Sequence, residues 1–586
     1  MGKYHKITIF FILLLTAACL TGLAGAAEWT VTKNMDTDPG TQISDLKSVT
    51  LRQAVEAASP GDTILFGVDT VSLSKGELVI KKDLTFDSKG QTVTIQRSTD
   101  SVTKEMRLLN ITKANVTFIG ISFMNGFLNT GSGDGGAALI ENSNVTFKSC
   151  QFRSDKADDA GAICSVLSDL TLENCAFSLC SAVDDSPENA TGGALLVLGG
   201  NLTANDTQFV SNSAGYGGAV KLNGGSSSFK NCTFRENKAS VAAGSVQIMK
   251  NATASFDSCS FSDSFSVTHG AVYIDGDASL KNCYFNNDMA VSNNSAPAGG
   301  AVFVNGSVQI DSSVFADNAA RLATDSGYGN GSGGAVYVSK TGKAVIKDSS
   351  FYGNTARYGG AVYVLGRADI SGCSLYNNSA KETGGALACY SESAVKLSDT
   401  AMIFNTAAGR GGAYDGGGAV CVKLGSLAMS GNVLADNTDK NNIDVYCEEG
   451  TVVSNGGNAI RKARGFSFPQ TDDDVSDLNM KLSDYLVTDG GHYVIASNER
   501  AGSGLNYVSI EKITIASGKT AEPEPTTQAP EPTTAEPTTE PATQAAEPSS
   551  EPAQTDEKGF SIPAVGFAGL VSLLLAGAVI GRRGKI

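Results

Sequence analysis

A Gly-Gly-Ala triplet returns through the middle of this chain at a nearly constant interval, and few architectures are compatible with that. It stands at Gly192-Gly193-Ala194, Gly217-Gly218-Ala219, Gly299-Gly300-Ala301, Gly333-Gly334-Ala335, Gly359-Gly360-Ala361, Gly384-Gly385-Ala386 and Gly417-Gly418-Ala419. Weaker copies occupy Gly135-Gly136-Ala137, Ala160-Gly161-Ala162, Ala243-Gly244-Ser245 and His269-Gly270-Ala271. The second glycine advances by 25, 26 and 26 residues from Gly193 to Gly270, and by 26 and 25 from Gly334 to Gly385. A step of 34 residues, Gly300 to Gly334, fits a loop inserted into one unit.

Two further elements keep phase with the triplet. An apolar residue is followed three positions on by asparagine at Phe209/Asn212, Phe234/Asn237, Phe315/Asn318, Phe351/Asn354, Leu375/Asn378 and Leu434/Asn437. Stretches such as Ala335-Val336-Tyr337-Val338 and Ala361-Val362-Tyr363-Val364 alternate as strands do. A unit of this size holds two or three short strands and no helix, and cannot bury its apolar side alone. Stacked units share one continuous core, pairing strands every ~4.8 Å. The expected fold is therefore all-β, a right-handed parallel β-helix over residues 62–447. About 14 rungs would make a rod of ~65 Å. Each position meets its own copy one rung away. Glycine and asparagine are expected where each coil turns with positive φ, at Gly193, Gly218, Gly300, Gly334, Gly360, Gly385 and Gly418.

An open end of such a stack invites aggregation. Residues 27–61 are expected to cap the first coil, with Leu51–Ala58 as a short helix presenting Leu51, Ala54, Val55 and Ala58 on one face. Residues 448–517, where the repeat fades, are expected to close the other end.

The two termini read as export signals. Lys3 and Lys6 precede an apolar stretch, and Ala24-Gly25-Ala26 offers small residues for cleavage after Ala26, making 1–26 a signal peptide. A lipid anchor on Cys19 is poorly supported by the preceding Thr16-Ala17-Ala18. Residues 518–558 hold eight of the 14 prolines, with Thr and Glu, and read as an extended stalk. Residues 562–581 carry no charge, long enough to cross a bilayer, and Arg582, Arg583 and Lys585 follow in the tail 582–586. Everything before that helix then lies outside the cell.

These repeats resemble the polymorphic outer membrane protein repeat family, with its Gly-Gly-Ala-Ile and Phe-x-x-Asn signatures. The stretch Leu51-Arg52-Gln53-Ala54-Val55 and then Pro60-Gly61-Asp62-Thr63-Ile64 is similar to the start of many secreted β-helix adhesins. The resemblance covers roughly 48–447 and implies surface display and adhesion. Autotransporter members end in a large β-barrel, whereas this chain ends in stalk, helix and basic tail. Val565-Gly566-Phe567 and that tail are similar to archaeal surface-protein sorting signals.

A net charge of -16 argues against nucleic acid. Cys150, Cys175, Cys232, Cys259, Cys283 and Cys373 each precede the repeat's Phe or Leu by two and share one ladder. They read as small buried hydrophobes, with disulfides between neighbouring rungs as the alternative. No Cys-x-x-Cys occurs, so no metal and no cofactor is expected. Among many Asn-x-Ser/Thr triplets, Asn293, Asn305, Asn330 and Asn377 are the candidate glycosylation sites. Acidic clusters at Asp155, Asp158 and Asp159, at Asp184 and Asp185, and at Asp472, Asp473 and Asp474 read as solvated loops, and no catalytic residue is assigned. The expectation is a non-enzymatic adhesin-like or structural surface protein whose partners are extracellular glycans or other cell-surface components. The alternative is a polysaccharide-active β-helix enzyme, which would gather carboxylates and a basic residue from neighbouring rungs on one face.

Overall fold

The computed structural model describes residues 26–495, apart from 100–104, 129–130, 132, 185, 187–188, 293–295, 324–330, 410–415, 480–485 and 490–491. The expected stalk, spanning helix and tail lie outside the described residues, as do residues 1–25, Asn293 and Asn330. Among the described residues no helix is long and apolar enough to cross a membrane.

The apolar-polar alternation becomes a parallel β-solenoid. Sheets of 29, 16 and 10 strands run along it, and the largest holds two stacks side by side. In the first stack Val302, Val336 and Val362 pair in register; in the second Val116 pairs with Val145. The third stack carries the phenylalanine of the repeat, and the fourth leads back to the glycines. Stacked rings fill the centre: Phe261, Phe285, Phe315 and Phe351 follow one another with centroids 4.6, 4.7 and 4.7 Å apart and are fully buried. Burial of such rings is the main stabilising contribution.

The two glycines of the triplet do different jobs, which refines the sequence expectation. The first turns the chain at positive φ, as Gly359 does at 60°. The second, Gly360 for example, has no positive φ; a Cβ there would lie 2.1 Å from the Gly385 carbonyl oxygen. Gly193, Gly218, Gly300, Gly334, Gly385 and Gly418 share that crowding against neighbouring backbone, so it is close stacking that excludes a side chain. The repeat's asparagines are likewise not the turning residues. Positive φ falls one position earlier, at Ser211, Glu236, Asp317, Gly353, Asn377 and Asp436.

Those asparagines form a buried ladder instead. The Asn354 amide nitrogen donates to the Phe315 carbonyl at 2.9 Å and to Asn378 Oδ1 at 2.9 Å. Its own Oδ1 accepts from the Asn318 backbone N–H at 3.0 Å. The same scheme runs through Asn378, Asn405 and Asn437. It satisfies polar backbone groups that the turn would otherwise bury unpaired. Asp155 and Asp288 occupy two slots of this ladder, fully buried.

At the N-terminal end, strand Glu28–Val31 pairs with Thr63–Phe66, and a helix over Leu51–Ala57 buries Leu51, Ala54 and Val55. A Thr50/Gln53 capping box starts the helix. Arg52 ties it down, bonding buried Asp36 at 2.9 Å and the Gly76 and Glu77 carbonyls at 2.6 and 3.0 Å. At the other end the stack runs past 447, through Thr451–Ser454, Ala459–Ile460 and Val475–Ser476. Residues there keep the strand pairing although the triplet has gone.

Candidate binding face

The outward side of the first stack is the unusual surface. Outward positions of a solenoid strand face water and are ordinarily polar. Here Tyr273, Phe303, Tyr337 and Tyr363 occupy four consecutive rungs, paired in register. Ring centroids are 5.3, 4.9 and 5.2 Å apart with interplanar angles of 7, 9 and 12°. The register partner of Tyr363 on the next rung is Ala388, which ends the row; Tyr390, two residues on, packs its ring 5.2 Å from Tyr363 at 41°, and Tyr358 flanks it with the Arg357 guanidinium 5.2 Å above its ring. Tyr273, Phe303 and Tyr337 are half-buried and, stacked along the rod, show solvent their ring edges, while Tyr363 is buried at the end of the row. Burial pushes the Tyr337 hydroxyl pKa up, and that of Tyr363 further, with Tyr337 and Tyr358 adding to the effect. His269 packs 4.0 Å from Phe303, and burial lowers its pKa to about 4, so the imidazole is neutral at ordinary pH.

Towards the N-terminal end the outward ladder runs through Leu139, Cys164 and Leu196, an apolar cluster, and charged groups gather beside it. Arg107 bonds Glu77 at 2.8 Å and the Asp134 carbonyl at 2.8 Å. Asp159 accepts from the Thr191 N–H and hydroxyl at 2.6 and 2.8 Å. Burial raises the Asp134 and Asp159 pKa values; Asp159 and Asp158 add to the rise at Asp134, and Asp158 to that at Asp159, while Lys221 counters the rise at Asp159. Lys221, desolvated, has its own pKa lowered and sits 6.0 Å from the Tyr216 ring centroid. Carboxylates and basic groups from neighbouring rungs thus meet on one face.

The structure splits the acidic residues that the sequence had grouped. Asp155 is interior, while Asp158 and Asp159 are half-buried on the outer turn, so neither is a freely solvated loop. Asp184 accepts from the Ser186 N–H and the Asn189 amide, and Asp185 lies outside the described residues. Asp474 is buried at the C-terminal end, binding Ser454 and Asn458, while Asp472 and Asp473 are exposed. Sequence reasoning missed Asp134, Lys221 and the aromatic row; the available signal was an aromatic residue recurring at an outward strand position.

The cysteine ladder is as expected for small buried hydrophobes. Cys150, Cys175, Cys232, Cys259, Cys283 and Cys373 are buried free thiols. Each sulfur faces backbone carbonyls, as Cys232 does Ala204 O at 3.3 Å, and burial pushes the Cys150 and Cys283 thiols up to about 12. Among the described residues no group of His, Cys, Asp and Glu could hold a metal ion. Of the candidate sequons, Asn377 is exposed, while the Asn305 amide is engaged on both sides, donating to Asp275 at 2.6 Å and accepting from Ser339 and Thr341 at 2.7 Å.

A separate pocket of about 380 Å³ opens at the N-terminal end, lined by Trp29, Gln42, Ile43, Asp45, Gln53 and Glu56 among others.

Residues 108–295 match the family model described as the right handed beta helix region, in keeping with a right-handed coil. Among solved structures the chain is similar to PfbA, a surface adhesin of Streptococcus pneumoniae, at 12% identity and TM-score 0.27, covering 77% of this chain and 94% of that one. It is also similar to a PL6 alginate lyase solved as a complex with a trisaccharide, at 9% identity and TM-score 0.32, covering 84% and 96% respectively. A search of curated proteins gives no match.

Proposed function

We propose that this chain is a surface-displayed binding rod that holds extracellular glycans or other cell-surface components along the outward side of its first stack. The aromatic row carries the reading. Nothing in the solenoid requires Tyr273, Phe303, Tyr337 and Tyr363 at positions facing out. A ridge of ring edges sheds water readily, and its phenol hydroxyls pair with a hydroxyl-rich partner. Export by residues 1–26, a stalk over 518–558 and a spanning helix at 562–581 would set the rod away from the membrane with 582–586 inside. Exposed Asn377 is then a better glycan acceptor than Asn305, whose amide already has three partners. Binding of the full chain to a panel of glycans and to whole cells tests the reading. Binding that falls with Tyr337→Ser and Phe303→Ser supports it, and absence of any binding removes it.

A second reading, cleavage of a polysaccharide, is favoured by one observation: Asp134, Asp159 and Lys221 gather on the same face with shifted proton affinities. Release of reducing ends or unsaturated products from plant or microbial polysaccharides, abolished by Asp159→Asn, would establish it. No product from any polysaccharide would leave the binding reading alone.

A further inference from the structure

Asp62 sits beneath the first coil with little access to solvent and is surrounded by donors. Its Oδ1 accepts from the Ala27 nitrogen at 2.7 Å. Its Oδ2 accepts from the Ser59 N–H at 2.8 Å and from the Trp29 indole N–H at 3.1 Å. Among the described residues it has no ion-pair partner. The cation that acts on it, Lys82, is engaged elsewhere, donating to the Glu56 and Ala58 carbonyls at 3.1 and 2.6 Å. The Ser59 and Ala27 N–H groups, with lesser help from Trp29 and Lys82, hold its pKa below the usual carboxylate value, so the group stands ionised. The donor at its closest contact belongs to the residue that follows Ala24-Gly25-Ala26, the small-residue pattern at which a secretory leader is cut.

We propose that the mature chain begins at Ala27 and that its new α-ammonium group seats on Asp62, clasping the cap onto the first coil. The inference rests on the exported reading above. Water adds across the Ala26–Ala27 peptide bond; the C–N bond breaks, Ala26 leaves as a carboxylate, and Ala27 keeps an amine that takes up a proton. One neutral N–H is thereby replaced by a positive charge against an ionised carboxylate that has little access to solvent. The neighbouring backbone is already fixed: Thr63 N donates to Ala27 O at 2.9 Å, and Glu28 pairs with Thr63 in the first parallel rung. Asp62 therefore couples three things, the start of the chain, the turn into the first coil through Ser59, and Trp29. That indole also walls the N-terminal pocket, so processing would set the shape of the pocket as well. The cation acting on Asp62 is Lys82, and Asp45 and Glu56 line the pocket beside Trp29.

The chain has a single tryptophan, so its emission reports on this site alone. N-terminal sequencing and intact mass of the exported full chain should give Ala27 as the first residue. Four full-length proteins then decide the seat: the native start, the same start with one Ser added ahead of Ala27, Asp62→Asn with the native start, and both changes together. The added residue should lower the folded-to-open ratio of the cap about tenfold and shift Trp29 emission. In the Asp62→Asn background the added residue should change neither, because its target is gone. Only the native start with Asp62 should show an emission change as pH rises through the α-amino range from about 8. A chain that is never cut removes the export reading and the seat together. Cutting at another bond, or effects of extension and Asp62→Asn that simply add, removes the seat and leaves export standing.

Discussion

Two outward faces of the same sheet, one on the second stack near the N-terminal end and one on the first stack further along, differ in almost every residue. On the second stack the exposed ladders run Asn115, Asn144, Asp169, Asn201 and, two residues along, Thr117, Thr146, Thr171, Thr203. Side chains bond rung to rung there, Asn144 to Asn115 at 2.8 Å and Asn201 to Asp169 at 2.9 Å. On the first stack, six rungs further along, the outward ladder is Tyr273, Phe303, Tyr337 and Tyr363. Beneath them the inward residues are alike, Val116, Val145, Leu170 and Leu202 on one side, Val272, Val302, Val336 and Val362 on the other. Stacking dictates the interior and leaves the exterior free, so the exterior records use. The comparison also explains the many sequons. Asn and Thr two apart on one outward face, with an apolar residue pointing in between, spell Asn-x-Thr as a consequence of strand alternation.

If the interior is dictated this closely, its smallest violation should cost most. Gly360→Ala places a methyl 2.1 Å from Gly385 O and 2.7 Å from Ser379 N, both backbone atoms that cannot move without breaking a rung. It should lower stability by about 4 kcal/mol in urea unfolding. A near-neutral Gly360→Ala would break the claim that close stacking sets the interior.

Asn354→Leu comes next. It keeps size but removes an amide serving Phe315 O, Asn378 Oδ1 and the Asn318 N–H, leaving buried groups unpaired. The expected loss is about 3 kcal/mol by the same measurement. Asn144→Leu on the outer polar face, where water replaces the amide, should cost far less.

Asp288 sharpens the interior side through pH. Its Oδ1 accepts from the Ser264 N–H at 2.9 Å, as the ladder asparagines do, while Oδ2 has no partner. With one oxygen buried and unpartnered, the group favours its protonated form. Burial raises its pKa to about 8, with Asp263 adding slightly. The unfolded chain releases that proton near pH 4 and the folded one keeps it to about pH 8. Stability is thus fully present at acid pH and falls as pH rises between those limits. Asp288→Asn, which restores the donor, should stabilise the rod at pH 8 by about 2 kcal/mol, less than the full shift because the site can relax. At pH 4 variant and wild type should melt together. Parallel melting curves across this range would show that Asp288 is ionised after all.

Much of this interior was readable from the sequence because stacking turns a spatial neighbour into a sequence period. The phenylalanine column, the cysteine ladder and the helix over the first coil all follow from it. What period alone could not say was which job each repeated residue does. Gly193 and Asn212 look like turn residues, yet one is excluded from having a side chain by the next rung and the other satisfies buried backbone. Asp155, Asp158 and Asp159 look like one cluster, yet the strand ending at Ala157 sends the first inward and leaves the others on the outer turn. The aromatic row was obscured because loops of different length separate its members, so Phe303 and Tyr337 are rung neighbours across an insertion.

The outer face should answer in the opposite sense. Tyr337 contributes ring stacking to Phe303 and Tyr363 at 4.9 and 5.2 Å but is half-exposed, and nothing in the coil depends on its shape. Tyr337→Ser should therefore cost only about 1 kcal/mol in urea unfolding, the smallest of these effects. Binding should suffer far more, since the serine opens a gap in the middle of the ridge and admits water where a partner must lie flat. Thr146→Ser on the polar face changes a similar exposed position and should leave both stability and binding as they were. A Tyr337→Ser rod that binds as well as wild type but unfolds much more easily would reverse the assignment: the aromatic row would then be part of the scaffold, and the polar face would be the one left to explain.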